Sequence, residues 1–369
     1  MDKSVGKLGF GMMRLPRKGE GIDIEETKRM VDAFMVSRFN YFDTAFAYPG
    51  SEEAIKEALV DRYPRKSYYL ATKCALWSGC HSSDDAKREL DISLERTGAG
   101  YFDFYLLHAM NGKNASQFEE YGLWDYFLKK KEEGVIKHLG FSFHDTPEVL
   151  DDILSRHDEA EFVQLQINWA DWENPKVQSR GCYEVARKHG KPVVIMEPVK
   201  GGSLAILRDD VGEGLKKARP EASYASWALR FAADNEGILT VLSGMSNEEQ
   251  MKDNIAVMKN FEPLTEEERE LLAQVTEKLN QIPTVACTAC RYCVEGCPQN
   301  INIPSMIKHL NTCRVYTYSE SVGRRFGMDI RDGSGKPSDC VQCGQCESVC
   351  PQHLPIISIM EEAAKELER

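Results

Sequence analysis

Eight short runs rich in β-branched and aromatic residues, each followed by a stretch with helical spacing, fill the chain up to about residue 260. They are KLGFGMMRL (7–15), YFDTA (41–45), SYYLATK (67–73), FDFYLLH (102–108), HLGFSF (138–143), FVQLQIN (162–168), PVVIMEP (192–198) and ILTVLSG (238–244). Strands that alternate with helices build a parallel sheet, and eight such units close a barrel. An open doubly wound sheet would need a G-x-G-x-x-G turn after the first strand, and none is present. The expected class is therefore α/β, a TIM (β/α)8 barrel over residues 1–280. Thr146 before PEVLDDILSRH and Ser246 before NEEQMKDNIAVM read as helix N-caps. LTEEERELLAQVTEKLNQIP (264–283) reads as an acidic helix closing the barrel, after which the composition shifts to Cys, Gly and Pro.

A 42% hydrophobic content is ample for a buried core in a chain of 369 residues. Lys and Arg number 46 against 58 Asp and Glu, a net charge of −12 that makes nucleic acid and anionic membrane poor partners. The opening MDKSVGKLGFGMMRLP has no apolar core with a cleavage site, and no apolar run approaches a membrane span, so the expected location is cytoplasmic. Twelve cysteines in that setting point to metal binding rather than disulfides.

Eight of those cysteines fall in two runs. CTACRYCVEGCP begins at Cys287 and CVQCGQCESVCP at Cys340, identical in cysteine and proline positions at an offset of 53 residues. C-x2-C-x2-C-x3-C-P is the spacing of a bacterial ferredoxin run, in which the fourth cysteine ligates the other cluster. One 4Fe-4S cluster is thus expected on Cys287, Cys290, Cys293 and Cys350, and a second on Cys340, Cys343, Cys346 and Cys297. Structural zinc uses C-x2-C pairs but gives no reason for the third cysteine or for a fourth followed by proline. Residues 281–369 resemble a bacterial-type dicluster ferredoxin with a lengthened connection between its halves, which implies a small α+β iron-sulfur domain. Outside the runs, Cys74, Cys182 and Cys313 read as small buried hydrophobes, and Cys80 as a loop thiol, either inert or redox-active.

An α/β barrel carries its active site at the C-terminal ends of its strands. Asp43 closes strand 2, Tyr48 follows five residues on, Lys73 closes strand 3 and His108 closes strand 4. Singly, each has an ordinary structural explanation; jointly they set an acid, a base and two orienting groups on one face. DTAFAY, ATK and LLH resemble the motifs of the aldo/keto reductase family over roughly residues 1–260. The resemblance implies reduction of a small carbonyl substrate, or oxidation of the alcohol. Tyr48 would donate the proton, Lys73 would lower its pKa, Asp43 would hold Lys73, and His108 would hydrogen-bond the carbonyl oxygen.

The same resemblance implies a nicotinamide cofactor, NADP(H) or NAD(H). Ser142 and Gln164, with Asn168 close by, would hold its carboxamide. Phe143 stands where the family usually has Asn, and Met196 where an aromatic ring commonly stacks. PVKGGSL (198–204), with Pro198, Gly201 and Gly202, resembles the pyrophosphate loop. SGMSNEEQMKDN, with Ser243, Gly244, Gln250 and Asn254, resembles the adenosine-phosphate segment, and Arg14 after strand 1 joins the cofactor set. Gly244 and Gln250 replace the basic residue and the Arg that grip a 2′-phosphate in many relatives, which leaves the choice between the two nicotinamides open. Substrate contacts are expected from WSGCH (77–81), the segment around Tyr48, and Trp169 or Trp172.

Nicotinamide delivers electrons as a hydride pair whereas clusters pass them singly, so direct exchange needs a converter such as a flavin, for which no motif is present. Three readings follow. The barrel is a carbonyl reductase whose tail serves structure, docking or sensing; or a redox partner protein feeds electrons through the clusters to a flavin or nicotinamide in the barrel; or the barrel is a non-catalytic binding module. The last sits poorly with an intact set of four catalytic types.

Overall fold

In the computed structural model, which describes residues 5–19 and 21–369, the eight expected runs form one closed, all-parallel barrel. The first four residues of the expected 1–280 domain, and Glu20, lie outside the described residues. The strands are β1 (Leu8–Gly11), β2 (Tyr41–Asp43), β3 (Tyr69–Cys74), β4 (Phe102–Met110), β5 (Ile136–Phe143), β6 (Phe162–Gln166), β7 (Val193–Met196) and β8 (Ile238–Ser243). Each pairs with its neighbours in sequence, and β1 closes the ring on β8 through Leu8↔Val241 and Phe10↔Ser243.

Because side chains alternate faces along a strand, the lumen can be read in steps of two. Tyr41, Ala71, Phe104, Leu106, Phe162, Val194 and Leu242 pack into one interior layer. Two residues further along their strands stand Asp43, Lys73, His108, Gln164, Met196 and Gly244, the layer at the C-terminal mouth. Gly140 is required in β5 because a Cβ there would lie 2.4 Å from the Phe162 carbonyl oxygen and 2.7 Å from its ring, which fills the lumen. The opposite faces, among them Phe10, Phe42, Tyr105, Phe141 and Ile195, pack under the helices as the main core. Two of those helices start on capping side chains: Asp23 accepts from Glu26 N before Ile24–Val36, and Ser82 from Asp85 N before Ser83–Thr97.

Local departures from expectation have local causes. The first strand stops at Gly11, since Met12–Arg14 turns into a 3-10 helix ahead of Pro16, and a hairpin of Arg17–Lys18 and Gly21–Ile22 follows. Asn247, not Ser246, caps Glu248–Lys259, its carboxamide accepting from Gln250 N at 2.9 Å. Thr146 does precede a helix with Pro147 at its start, but its hydroxyl makes no cap bond.

The chain divides into two compact units, one running to Val199 and resuming at Ser226–Leu264, the other formed by Lys200–Ala225 and Thr265–Arg369. The acidic helix Glu266–Asn280, opened by a reciprocal Thr265/Glu268 capping box, belongs to the second. The expected α+β character of residues 281–369 is corrected: the described elements there are helices and one 3-10 turn, with no strand. The segments around the cysteines are turns and one-turn helices, with no extended pair between them. The 53-residue repeat survives in the backbone, with short helices Tyr292–Glu295 and Gln345–Ser348 and long helices Ile303–Tyr316 and Ile356–Leu367 starting at equivalent positions. Among the described residues no helix is long and apolar enough to cross a membrane.

Candidate active site

Lys73 is wholly buried and donates to Asp43 Oδ1 at 2.5 Å and to the Thr44 carbonyl at 2.6 Å. Burial opposes its charge, but Asp43 and then Tyr48 outweigh burial and hold its pKa above the ordinary lysine value. Burial likewise pushes the Asp43 carboxyl up, against the pull of Lys73. The Lys73 ammonium lies 5.2 Å from the centre of the Tyr48 ring. It lowers the Tyr48 pKa as expected, yet burial is the larger influence and the net direction is upward, so the expected net lowering is corrected. Tyr48 is held protonated, the state a proton donor must start from.

His108 sits between two rings, with Tyr48 edge-on at 5.7 Å and Trp77 at 4.6 Å. Its Nδ1 is buried with no hydrogen-bond partner among the described residues. Burial, Lys73 and His144 hold its pKa well below the ordinary histidine value, so the imidazole is neutral and carries one N–H. Trp77 is 55% exposed and flanks the entrance. Trp172 instead packs on Tyr183 and Phe231, which makes it part of the core, while Trp169 is buried with an unpartnered Nε1.

Ser142 and Gln164 are register partners on β5 and β6. Gln164 is 3% exposed, and its Oε1 has no partner among the described residues. An orphaned amide acceptor beside a serine hydroxyl suits an incoming carboxamide. Phe143, on the opposite face of β5, packs against Phe141 in the outer core. Arg14 and Glu197 form a 3.8 Å pair, and both act on the Tyr48 phenol. Glu197 was not expected from sequence; its only signal is a charge between Met196 and Pro198 at a strand end. It takes φ 53°, a conformation no pattern announces for a non-glycine.

Several of the other expected cofactor residues make hydrogen bonds within the barrel unit. Asn168 spends its amide on Asp171 and the Glu197 carbonyl, and its oxygen on Asp171 N. Asn254 donates to Ser243 Oγ at 2.7 Å, tying its helix to β8. Met196 ends β7 half-buried, Pro198 is buried and Gly244 is exposed. Gln250 accepts from Ser246 N at 2.8 Å, at a helix start that also carries Glu248 and Glu249. Gly201 lies in the second unit at φ 65°, beside Gly202 at φ 96°.

Within the second unit, Cys287, Cys290, Cys293 and Cys350 line one small cavity, and Cys297, Cys340, Cys343 and Cys346 line another. Each thus draws three cysteines from one run and the fourth from the other. Among the described residues no three His, Cys, Asp or Glu side chains gather as one metal ion would need. Four cysteines around one cavity, three from one run and the fourth from the other, match the ligand sharing of a bacterial two-cluster ferredoxin. Left-handed residues recur at the 53-residue offset, Ala289 with Gln342, Arg291 with Gly344, and Asn300 with His353. Ala289 N donates to Cys287 Sγ at 3.4 Å.

Residues 7–277 match the model of the Aldo/keto reductase family, and residues 286–354 that of the 4Fe-4S dicluster domain. An uncharacterized oxidoreductase of Schizosaccharomyces pombe is 26% identical over 69% of this chain and 82% of its own length. An aldo-keto reductase of Mycolicibacterium vanbaalenii is 29% identical over 69% of this chain and 84% of its own. Among solved structures, the holo form of aldo-keto reductase AKR11C1 from Bacillus halodurans superposes with a TM-score of 0.58 at 26% identity, covering 73% of this chain and 92% of that one. An aldo-keto reductase of Klebsiella pneumoniae in complex with NADPH reaches a TM-score of 0.60 at 22% identity, over 74% and 91%, a likeness of fold.

Proposed function

The chain belongs to the aldo/keto reductase family, with a 4Fe-4S dicluster domain at its C-terminal side, and from that premise we propose that it reduces a small aldehyde or ketone, or oxidises the alcohol, in the barrel mouth. The observation that carries this reading is the sealed Asp43–Lys73 pair beneath Tyr48 and His108. A nicotinamide held there would supply the hydride that the carbonyl carbon receives. His108, neutral, donates its N–H to the carbonyl oxygen and fixes the carbon's orientation. Tyr48 gives its proton to the oxygen as negative charge develops there. Lys73 then stabilises the phenolate left behind, and Asp43 keeps Lys73 charged and aimed. Ser142 and Gln164 would hold the carboxamide, and the Klebsiella relative with NADPH supports NADP(H) as one occupant.

We place the barrel domain at 1–280 and the cluster domain at 281–369, a division supported by family matches that end at 277 and begin at 286. Two 4Fe-4S clusters would sit on the two interleaved cysteine sets, a ligand set suited to a reducing cytoplasm and to exchange with a redox partner protein. Carbonyl reduction by wild type and by Tyr48→Phe tests the reaction. A loss of about 10²-fold or more is expected, and equal, negligible rates on every aldehyde and ketone tried would refute it. Adding NADPH or NADH to anaerobic protein while following cluster absorbance tests coupling. Bleaching means that a two-to-one electron converter such as a flavin joins the halves; full colour alongside active reduction means that the clusters stand outside the hydride chemistry.

A further inference from the structure

Ala109, the residue after His108, stands in the left-handed region at φ 52° although it is not a glycine. The β4/β5 ladder breaks around it, its register shifting between Leu107 and Met110. A bulge next to an active site re-aims the neighbouring side chain, and here that side chain is His108. Both polar groups of the kinked residue are taken by side chains. Ala109 N donates to Ser142 Oγ at 2.7 Å, and the Ala109 carbonyl accepts from Asn111 Nδ2 and Asn114 Nδ2, each at 3.0 Å. The asparagines are fixed in turn, since Asn114 Oδ1 accepts from Asn111 N at 2.8 Å and Asn111 Oδ1 from Lys113 N at 2.9 Å.

The imidazole itself has no comparable hold. Its Nδ1 lacks a partner among the described residues, and its ring packs against Trp77 and Tyr48. A neutral imidazole with a single N–H must take its aim from the backbone that carries it. We propose that Asn111, Asn114 and Ser142 are positioning residues that clamp Ala109 in its left-handed conformation and thereby set the pose of His108. The proposal rests on the reading of His108 as hydrogen-bond donor to the carbonyl. Because Ser142 Oγ accepts from Ala109, its own hydrogen is left to donate, so one hydroxyl serves both the clamp and the carboxamide seat.

Asn111→Asp with Asn114→Asp is the decisive change. Each carboxylate keeps the acceptor that shapes the 111–114 turn but deletes the donor to Ala109; Asn111→Ala with Asn114→Ala is the uncharged control. The readouts, on cluster-replete protein, are the imidazole nitrogen spectrum after 15N-histidine labelling, with His108 assigned through His108→Gln, then kcat and KM for 4-nitrobenzaldehyde, the NADPH Kd and the melting temperature. We expect the His108 resonances to shift or broaden and kcat to fall about 10-fold or more, with the NADPH Kd within about two-fold of wild type. Unmoved His108 resonances in both double variants, or a fall in melting temperature with kcat intact, would overturn the clamp. The nitrogen spectrum needs no turnover. If wild type reduces no carbonyl while the His108 signals still respond, the reaction reading has failed and the clamp has not.

Discussion

Lys73 and Asp43 meet at 2.5 Å with the lysine side chain fully buried and the aspartate side chain 5% exposed. Buried pairs of this kind are costly to break, because the remaining charge has neither water nor partner. Lys73→Met should destabilise the fold by about 3–5 kcal/mol, and Asp43→Asn combined with Lys73→Met should recover part of that loss. Activity should not return with stability, since the double variant still lacks the ammonium beside Tyr48. Urea unfolding of wild type, Lys73→Met and the double variant, set beside their reduction rates, separates the two roles.

The pH profile of carbonyl reduction follows from two displaced groups. His108 is pushed below its ordinary range by burial and Lys73, and Tyr48 is pushed above its own by burial. The protonation states needed for reduction therefore persist between about pH 6.5 and 10. We expect kcat to show no inflection there from either residue; an acid limb near pH 6.5 that vanishes in His108→Gln would place charge on the imidazole and contradict the structure.

Glu89, buried behind β3, accepts from Ala75 N at 2.6 Å, and burial lifts its pKa to about 7. The folded state then holds a proton that the unfolded chain releases above about pH 4.5. Stability must accordingly fall as pH rises from 4.5 through 7, by about 3 kcal/mol in total at 1.36 kcal/mol per unit. Glu89→Gln retains the acceptor without titrating, so a flattened dependence of melting temperature on pH is the expected outcome.

Gln250 lies in the first turn of Glu248–Lys259, with Glu248 and Glu249 beside it, at the position that the sequence resemblance assigns to the 2′-phosphate side of the cofactor. Gln250→Arg should tighten NADPH by about 10-fold while leaving NADH within about two-fold, as a charge-assisted bond to one phosphate implies. Paired titrations of the two cofactors measure it. Equal gains for both would mean that position 250 does not face the adenosine ribose.

The interleaved cysteine cavities make a prediction that chain order alone would reverse. Cys297→Ser should damage the cluster carried by Cys340, Cys343 and Cys346, and Cys350→Ser the one carried by Cys287, Cys290 and Cys293. Combining each with Cys290→Ser, and following iron content and paramagnetic resonance of the reduced protein, tells the two wirings apart. Cys350→Ser with Cys290→Ser should spare one intact cluster, whereas Cys297→Ser with Cys290→Ser should damage both.

Much of this was legible in the sequence because it depends on spacing. Alternation along a strand put Asp43, Lys73, His108 and Gln164 on the lumen face two steps beyond Tyr41, Ala71, Leu106 and Phe162. The repeated cysteine run was equally legible, because its C-x2-C-x2-C-x3-C-P spacing is that of two-cluster ferredoxins, whose fourth cysteine serves the other cluster. What spacing cannot carry is a sum over distant neighbours. The upward pKa of Tyr48, the proton on Glu89 and the Arg14–Glu197 pair arise from burial and charge contributed by several strands at once. The left-handed turn at Ala109 is likewise invisible locally, since alanine gives no signal for it and its hydrogen bonds come from Ser142, 33 residues away, and from the loop beyond β4. Local periodicity determined which residues reach the mouth of the barrel; only the closed fold, by excluding water and joining remote strands, decided their charge and aim.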